Sequence, residues 1–232
     1  MSPLPHRVRY LCDPVLKDLG VRHGFGLRGS QVPERTCFAR QVHGAAVWRE
    51  PVWAAPSRPE ADAVLGLAPD ASVGVVTADC VPILAAAADG SAVVAIHAGW
   101  RGLASGVIES GIEALRSVSG GQPIAAAIGP AARGCCYEVD DPVRTALAER
   151  HDRELDSEVL RPGRAGHFFL DLPLLAERVL LRNGVDEKGL GTLHRVCTIC
   201  DPDRFESFRR DGAGAGRLEH FIARGTGPES RG

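Results

Sequence analysis

Cys80 and His97 are the two residues whose types and spacing first suggest metal chemistry. They lie in residues 77–102, TADCVPILAAAADGSAVVAIHAGWRG, where two β-like runs flank Asp89-Gly90, a strong signal for a tight hairpin turn. If this turn joins antiparallel strands, Cys80 and His97 are opposite or diagonal neighbours on one face of the hairpin. They then supply two of the three protein ligands that a catalytic zinc ion usually takes.

A third ligand is sought in residues 40–44, RQVHG, where His43 ends a β-like run and precedes a glycine that permits a sharp turn. Spacing alone does not force His43 into contact with the hairpin. A cysteine and a histidine in a hairpin are also more often a packed structural pair, because free cysteine is among the most buried residue types. The residues by themselves therefore leave a metal centre and a buried pair both open.

Six ordered segments decide between these alternatives by resemblance. In order and nearly in form they resemble the YfiH family, whose members are labelled polyphenol oxidases, laccase-domain proteins or peptidoglycan-editing factors; the segments are RQVHG, ADAVLG, TADCVPIL, HAGWRG, IGPAARGCCYEV and FESFRRDGAGAGR. The resemblance extends from about residue 23 to residue 222 and implies that zinc is bound by His43, Cys80 and His97. Ser207-Phe208 stands where the family usually has serine-tyrosine, a change that removes one hydroxyl and leaves the implied ligands in place.

The same resemblance implies an enzyme of purine nucleosides. The implied reactions are phosphorolysis of adenosine, inosine and methylthioadenosine to the base and a (methylthio)ribose 1-phosphate, together with adenosine deamination. A zinc ion that keeps one net positive charge lowers the pKa of a bound water toward neutrality, which suits deamination. Phosphorolysis requires an anion site, and arginine makes bidentate contacts to phosphate. We predict that Arg40 is a catalytic residue together with the three metal ligands. We predict that substrate is bound by Arg101, Arg209 and Arg210. Which arginine binds phosphate stays open.

Three other functions compete with this interpretation. A cysteine amidohydrolase that edits peptidoglycan precursors would use Cys80 as the nucleophile and His97 or His43 as the base. Copper-dependent oxidation of phenols, the family's older label, is less favoured because one His-Cys-His site lacks the many histidines of a multicopper cluster. A binding module with a structural zinc is disfavoured because structural sites usually have four ligands.

Several further residues have two interpretations each. Asp79 is a candidate proton carrier, although strand alternation points it away from the Cys80 face. Trp100 either stacks on a base or is simply a half-buried aromatic residue. Cys197-x-x-Cys200 has zinc-finger spacing, but the adjacent pair Cys135-Cys136 is a poor chelator of one ion, so buried thiols are favoured over a second metal site.

The elements that position these side chains are predicted mainly as short strands bounded by Gly, Pro or Asp, at residues 38–42, 45–48, 72–77, 83–87, 92–97, 124–128 and 192–196. Apolar repeats at helical spacing predict two helices, with stripes formed by Ala104, Val107, Ile108, Gly111, Ile112 and Leu115 and by Leu172, Leu175, Ala176, Val179 and Leu180. The second helix is expected to end at Asn183-Gly184, and residues 150–166 to form a surface loop. This order of elements predicts an α+β fold of mixed β-sheets flanked by helices.

Composition limits the possible partners. The 27 Lys and Arg nearly balance the 29 Asp and Glu without a run of like charge, which argues against nucleic-acid or membrane-surface binding and favours a small-molecule substrate. The seven cysteines, an odd number, favour reduced thiols and a cytoplasmic location. We expect a soluble monomer or homodimer with no secretory signal, one catalytic domain over residues 1–223 and a flexible tail at 224–232.

Overall fold

The computed structural model of the protein describes residues 10–49, 51, 53, 56–69, 72–191 and 193–224. Within these residues the strands are β1 (Tyr10–Leu11), β2 (Arg22–Gly26), β3 (Thr36–Phe38), β4 (Val47–Trp48), β5 (Ala63–Gly66), β6 (Ser72–Thr77), β7 (Val81–Ala87), β8 (Val93–Ala98), β9 (Ile124–Ile128), β10 (Glu138–Asp140), β11 (Leu160–Pro162), β12 (His167–Leu170), β13 (Leu190–Gly191) and β14 (Leu218–Ala223). The α-helices in the same residues are α1 (Pro14–Asp18), α2 (Trp100–Ser105), α3 (Val107–Arg116), α4 (Asp141–His151), α5 (Leu172–Arg182) and α6 (Phe208–Asp211).

The strands form three sheets in the described part of the chain. A six-stranded sheet has the order β13-β9-β7-β8-β5-β4, a five-stranded sheet the order β1-β2-β14-β6-β3, and a small sheet the order β10-β12-β11. Both large sheets are mixed, because β13 pairs parallel with β9, β4 with β5 and β3 with β6, whereas their other neighbours pair antiparallel. The predicted fold class, mixed sheets with flanking helices in a single domain, is confirmed.

Strand β7 lies between the two hydrophobic cores and contributes residues to both. Ile83 and Ala85 belong to the core that the six-stranded sheet shares with α3 and α5. Leu84 and Ala86 belong to the second core, which lies between the two large sheets. A strand covered on both faces needs apolar residues at every position instead of alternation. This explains the continuous run VPILAAA, all of whose residues are buried.

The two predicted helices form, with one difference. The first stripe is divided between α2 and α3, because Gly106 has a left-handed backbone with φ of 86° and ends one helix before the next begins. The second stripe is the buried face of α5, where the Asp171 side chain accepts a hydrogen bond from the amide of Leu174. The chain leaves α5 at Asn183 and Gly184, whose φ is 79°, as predicted.

Some local predictions are wrong. The strand predicted at 38–42 ends at Phe38 in β3, since the following backbone turns toward residues 59–62. The strand predicted at 192–196 is replaced by a 3-10 helix at Leu193–Arg195, with Thr192 outside the described residues. The loop predicted at 150–166 contains the end of α4 and strand β11, which pairs with β12.

The boundary of the predicted catalytic domain stays a prediction. Strand β14 ends at Ala223, where that domain was expected to end. The predicted tail lies outside the described residues except for Arg224, and the N-terminal residues 1–9 lie outside them as well. Among the helices that the structure describes, none has the length and hydrophobicity required to cross a lipid bilayer.

Candidate metal centre

The β7–β8 hairpin places Cys80 and His97 side by side. Pro82 lies opposite His97 and Val81 opposite Ala98. Cys80 precedes Val81 by one residue and therefore lies on the same face as Pro82, diagonal to His97. The turn predicted that the two residues are opposite or diagonal neighbours, and the register shows that they are diagonal.

His43 reaches the hairpin through a loop that Asp62 holds in place. The backbone φ of His43 is 61°, a left-handed conformation that is uncommon for residues other than glycine. The carboxylate of Asp62 accepts hydrogen bonds from the amides of Val42, His43 and Gly44, at 3.1, 2.9 and 2.8 Å. These three bonds compensate the local backbone strain and turn the His43 side chain toward Cys80.

The same carboxylate orients His97. The Nδ1–H group of His97 donates to Asp62 Oδ1 at 2.8 Å, in a pair that is almost completely buried. Because an ionised carboxylate only accepts hydrogen bonds, Nδ1 keeps its proton, and Nε2 is the ring nitrogen that can give up a proton and offer its lone pair to a metal. Asp62 thus fixes both histidines, one through its ring and the other through its backbone.

The three side chains have the geometry of a metal centre. Cys80 Sγ lies 3.8 Å from His43 Nε2, and the two imidazole rings have centroids 4.8 Å apart at an angle of 77°. All three candidate ligand atoms lie within 4.8 Å of one another. Tetrahedral zinc with ordinary bond lengths separates a nitrogen and a sulfur ligand by about 3.5 Å, so the cluster needs little adjustment. Among the described residues no fourth His, Cys, Asp or Glu joins the group, which leaves one coordination position open.

The electrostatics of the centre favour a thiolate. Burial raises the pKa of the Cys80 thiol, but hydrogen bonds and positive charge from His43 and His97 outweigh burial and lower this pKa to about 6. Burial lowers the pKa of His97, yet its bonds to Asp62 and Cys80 raise it to about 9. The thiolate is the form that binds metals and attacks electrophiles. Burial also raises the pKa of Asp62, but hydrogen bonds from His97 and from the loop amides lower it overall, so this carboxyl stays ionised.

The centre lies at a cavity of about 570 Å³, a size that suits a small organic ligand. Three aromatic residues line it, of which Phe208 has 55% of its surface exposed. The full lining consists of Gln41, His43, Val76, Thr77, Ala78, Asp79, Cys80, His97, Trp100, Arg101, Tyr137, Phe208, Arg209 and Arg217. Candidate metal ligands, aromatic surface and cations therefore meet in one cavity.

Two of the four predicted arginines lie at this cavity. Arg101 extends over the Trp100 ring with its guanidinium carbon 4.3 Å from the ring centroid. Arg209 lies in the same way over Tyr137 at 4.5 Å, and it donates to the carbonyl of Glu138. Both arginines are among the residues that line the cavity, so they are candidates for contact with an anion.

The structure puts the other two arginines elsewhere. Arg40 forms an exposed ion pair with Glu60 and does not line the cavity. Arg210 also stays outside the lining, and its guanidinium donates to the carbonyls of Thr198, Ile199 and Phe205. It stabilises the loop that precedes α6.

Asp79 is an anchor, in contrast to the proton carrier considered from the sequence. Its buried carboxylate accepts hydrogen bonds from Thr198 Oγ1 at 2.7 Å, Ser207 Oγ at 3.0 Å and the Arg209 amide at 2.7 Å. These bonds connect the turn before Cys80 to the segment that carries Arg209. The backbone φ of Asp79 is 86°, a second left-handed position beside the metal centre.

Sequence reasoning missed four residues of the site. Asp62 was present in the segment ADAVLG, but no local pattern relates it to residues 42–44. The Gln41 side chain exchanges two 2.8 Å hydrogen bonds with the backbone of Val76 and attaches the His43 loop to β6. Tyr137 and Arg217 complete the cavity wall. Only the segments that resemble the YfiH family could have pointed to these residues.

Gly99 must be a glycine because two candidate ligands, Cys80 and His43, lie close to its backbone. A Cβ atom on Gly99 would lie 2.9 Å from Cys80 Sγ and 2.9 Å from His43 Cδ2. Contacts this short are essentially never formed by real side chains, so a larger residue would displace two of the candidate ligands.

Comparison with known proteins places the site in context. The profile of the family described as multi-copper polyphenol oxidoreductase laccase matches residues 26–225. A Xylella fastidiosa protein named purine nucleoside phosphorylase is 40% identical over 187 residues, 78% of this chain and 69% of that protein. An Escherichia coli protein named purine nucleoside phosphorylase YfiH is 32% identical over 194 residues, 82% of this chain and 74% of that protein.

Two solved structures have the same fold. The crystal structure of a Neisseria meningitidis protein superposes with a TM-score of 0.70 at 34% identity, covering 82% of this chain and 74% of that one. The structure of YlmD from Geobacillus stearothermophilus superposes with a TM-score of 0.72 at 31% identity and the same coverage.

Proposed function

We propose that this chain, which belongs to the YfiH family of laccase-domain proteins, catalyses the zinc-dependent phosphorolysis of purine nucleosides. The substrates are adenosine, inosine and methylthioadenosine, which react with phosphate to give the free base and ribose or methylthioribose 1-phosphate. Deamination of adenosine is a second activity of the same centre. The observation that carries the proposal is the open His43, Cys80 and His97 cluster at the cavity, taken together with the names of the relatives.

The donor set fits zinc. One thiolate and two neutral imidazoles are ligands that zinc accepts, and the carboxylate of Asp62 on Nδ1 of His97 is the usual outer partner of a zinc-bound histidine. Bound there, zinc would supply Lewis acidity at the one coordination position that the protein leaves open. Copper also binds such donors, so the identity of the metal is part of the proposal.

The cavity offers binding groups for both substrates. Trp100, Tyr137 and Phe208 present aromatic surface on which a purine ring can stack. Arg101 and Arg209 provide the positive charge that a phosphate dianion requires, and Arg217 adds a third cation to the same wall. In phosphorolysis a phosphate oxygen bonds to C1′ of the sugar while the bond from C1′ to the base nitrogen breaks. The arginines hold that oxygen in position and compensate its charge.

A direct assay tests the proposal. The purified protein is incubated with inosine and phosphate, and hypoxanthine and ribose 1-phosphate are measured by chromatography; adenosine is followed in parallel for adenine and inosine. We expect products that depend on phosphate, disappear after removal of metal with a chelator, and return with added zinc. Absence of both base and deaminated product in protein with verified zinc content would overturn the proposal.

A cysteine amidohydrolase acting on peptidoglycan precursors is the second candidate. The observation in its favour is the 3.8 Å contact between Cys80 Sγ and His43 Nε2, an arrangement of nucleophile and general base. Metal dependence separates the two functions. A nucleophilic cysteine keeps its activity in a chelator, whereas the zinc enzyme loses its activity there.

Copper-dependent oxidation of phenols has the weakest support. Within the described residues, the groups that can hold a metal are the His-Cys-His cluster and one cluster of four cysteines. A multicopper site needs many histidines close together. We therefore retain zinc as the proposed cofactor. The proposed ligands are nucleoside and phosphate, and the proposed form of the enzyme is a cytoplasmic monomer or homodimer.

A further inference from the structure

Four cysteines meet on the side of the fold where the loop after β9 contacts the loop after β13. Cys135 and Cys136 come from the first loop, and Cys197 and Cys200 from the second. The loops are joined by a parallel bridge in which Ala131 accepts from the amide of Thr198 at 3.1 Å and donates to the carbonyl of Val196 at 3.3 Å.

The four sulfur atoms are close enough to share one ion. All of them lie within 4.8 Å of one another, and Cys200 Sγ lies 3.5 Å from Cys135 Sγ and 3.0 Å from Cys136 Sγ. A tetrahedral zinc with four Zn–S bonds of about 2.3 Å separates its sulfurs by about 3.8 Å. Both printed separations are shorter than this value and no pair exceeds 4.8 Å, so rotations of the side chains that move Cys200 away from Cys135 and Cys136 would open the space for an ion. The adjacent pair Cys135-Cys136, which argued against chelation from the sequence, is no obstacle in the folded chain.

In the second loop, the Cys197 sulfur is surrounded by hydrogen-bond donors of the kind that a metal-bound thiolate needs. The Cys197 sulfur accepts hydrogen bonds from backbone amides of its own loop, those of Ile199 and Cys200, and from the amide of Arg133. Amides that converge on one sulfur compensate the negative charge of a thiolate.

The remaining thiols are crowded against one another. The Cys200 sulfur touches those of both Cys135 and Cys136. Such crowding is unfavourable for four ionised sulfurs and is relieved when a divalent cation lies between them. The expectation of buried thiols is wrong for Cys135 and Cys200, which are exposed. Their exposure gives an ion access from solvent.

We propose that Cys135, Cys136, Cys197 and Cys200 bind a second zinc ion in a closed, structural site. Four thiolates fill the coordination shell and leave no position for substrate, in contrast to the centre at the cavity. The ion would connect the two loops just before the chain continues to Ser207 and Arg209. Its role is to hold the segment that places Arg209 at the cavity.

Metal analysis of matched variants tests the second site. The full-length protein and its variants are purified under reducing conditions with zinc, and zinc per chain is measured by mass spectrometry of the element. We expect about two ions in the unaltered protein and about one in Cys200→Ser and in Cys135→Ser, both changed at exposed positions. Cys12→Ser, also exposed and outside the cluster, should retain about two.

Cobalt substitution identifies the ligands of the lost ion. Co²⁺ in a site of four thiolates gives intense sulfur-to-metal charge-transfer absorption, and we expect this intensity to fall in Cys200→Ser and to remain in His43→Ala. Equal zinc content in Cys200→Ser, Cys12→Ser and the unaltered protein would overturn the proposal. So would a reduced, folded protein whose one zinc per chain is retained in Cys200→Ser, or a metal-free protein in which intact mass shows the cysteines joined as disulfides.

Discussion

Asp62 is the residue on which both candidate histidine ligands depend. Its carboxylate holds Nδ1 of His97 and the three amides of the His43 loop. An amide in its place can accept fewer of these bonds, and the histidines lose their fixed orientation. We therefore predict that Asp62→Asn lowers the affinity for zinc by about 10- to 100-fold, the usual effect of changing an outer partner of a metal ligand.

A chelator competition measures that affinity. The exposed Asp203 provides the matched control, because Asp203→Asn makes the same chemical change away from the cavity. An affinity for zinc that is equal in Asp62→Asn and Asp203→Asn, with circular dichroism showing both folded, would contradict the role assigned to Asp62.

Gly99 tests how tightly the ligands are packed. A methyl group there meets Cys80 Sγ and the His43 ring at 2.9 Å, so Gly99→Ala should push both ligands apart. We predict an affinity for zinc at least about tenfold lower, with a loss of stability of about 1–3 kcal/mol. Gly214→Ala is the control, since a Cβ there has open space around it. The prediction fails if calorimetric zinc titration gives the same affinity for both variants.

The cavity arginines test the anion site. Arg101→Gln and Arg209→Gln each remove a cation from the cavity wall while keeping a long polar side chain. We predict that the KM for phosphate rises by about 10- to 100-fold, the equivalent of a charged hydrogen bond, whereas the KM for nucleoside changes little. The exposed Arg153→Gln is the control. Steady-state kinetics in which the KM for phosphate stays constant would show that another group binds the anion.

At the scale of elements, β14 carries a histidine that should make stability depend on pH. His220 is completely buried between β2 and β6, where its Nδ1 accepts from the Gly26 amide and its Nε2–H donates to Thr77 Oγ1. Phe25 packs against the ring. Burial, and then the positive charge of His97, lower the pKa of His220 from 6.5 to about 3.

This shift has a definite sign. Between the two pKa values the unfolded chain binds a proton at this position and the folded chain does not. The contribution of His220 to stability is therefore complete above about pH 6.5 and is lost as the pH falls toward 3, by at most about 1.4 kcal/mol per pH unit. Because a glutamine side chain does not titrate, His220→Gln should show a shallower decrease in the free energy of unfolding between pH 6.5 and 4. Identical slopes for the two proteins in urea titrations would contradict this prediction.

The elements also show which parts of the site a sequence can reveal. The β7–β8 hairpin was predictable because its turn signal and both strands are contiguous, which fixes the neighbourhood of Cys80 and His97. The His43 loop was not, because Asp62 holds it from a distant segment, just before β5. The break between α2 and α3 was missed since the apolar repeat continues across Gly106 and masks the left-handed turn.

For the whole molecule, the fold class could be predicted from the sequence, because short apolar runs occur together with two apolar repeats at helical spacing. The order of the strands did not, because β14 lies between β2 and β6 and β13 adds to the far edge beside β9. Such pairings depend on contacts between distant segments, which periodicity does not encode. For the same reason the cluster of four cysteines was not predictable, since it forms only where two distant loops pack together.

The proposed function depends on His43, Cys80 and His97 binding one zinc ion and leaving one coordination position open toward the cavity. Anomalous diffraction from a zinc-loaded crystal, recorded on both sides of the zinc absorption edge, tests it most directly. We predict a zinc peak about 2.0–2.3 Å from His43 Nε2, Cys80 Sγ and His97 Nε2, with no fourth side chain bound. Zinc-loaded, active protein without a peak at these atoms, or with a fourth protein ligand closing the shell, would contradict it.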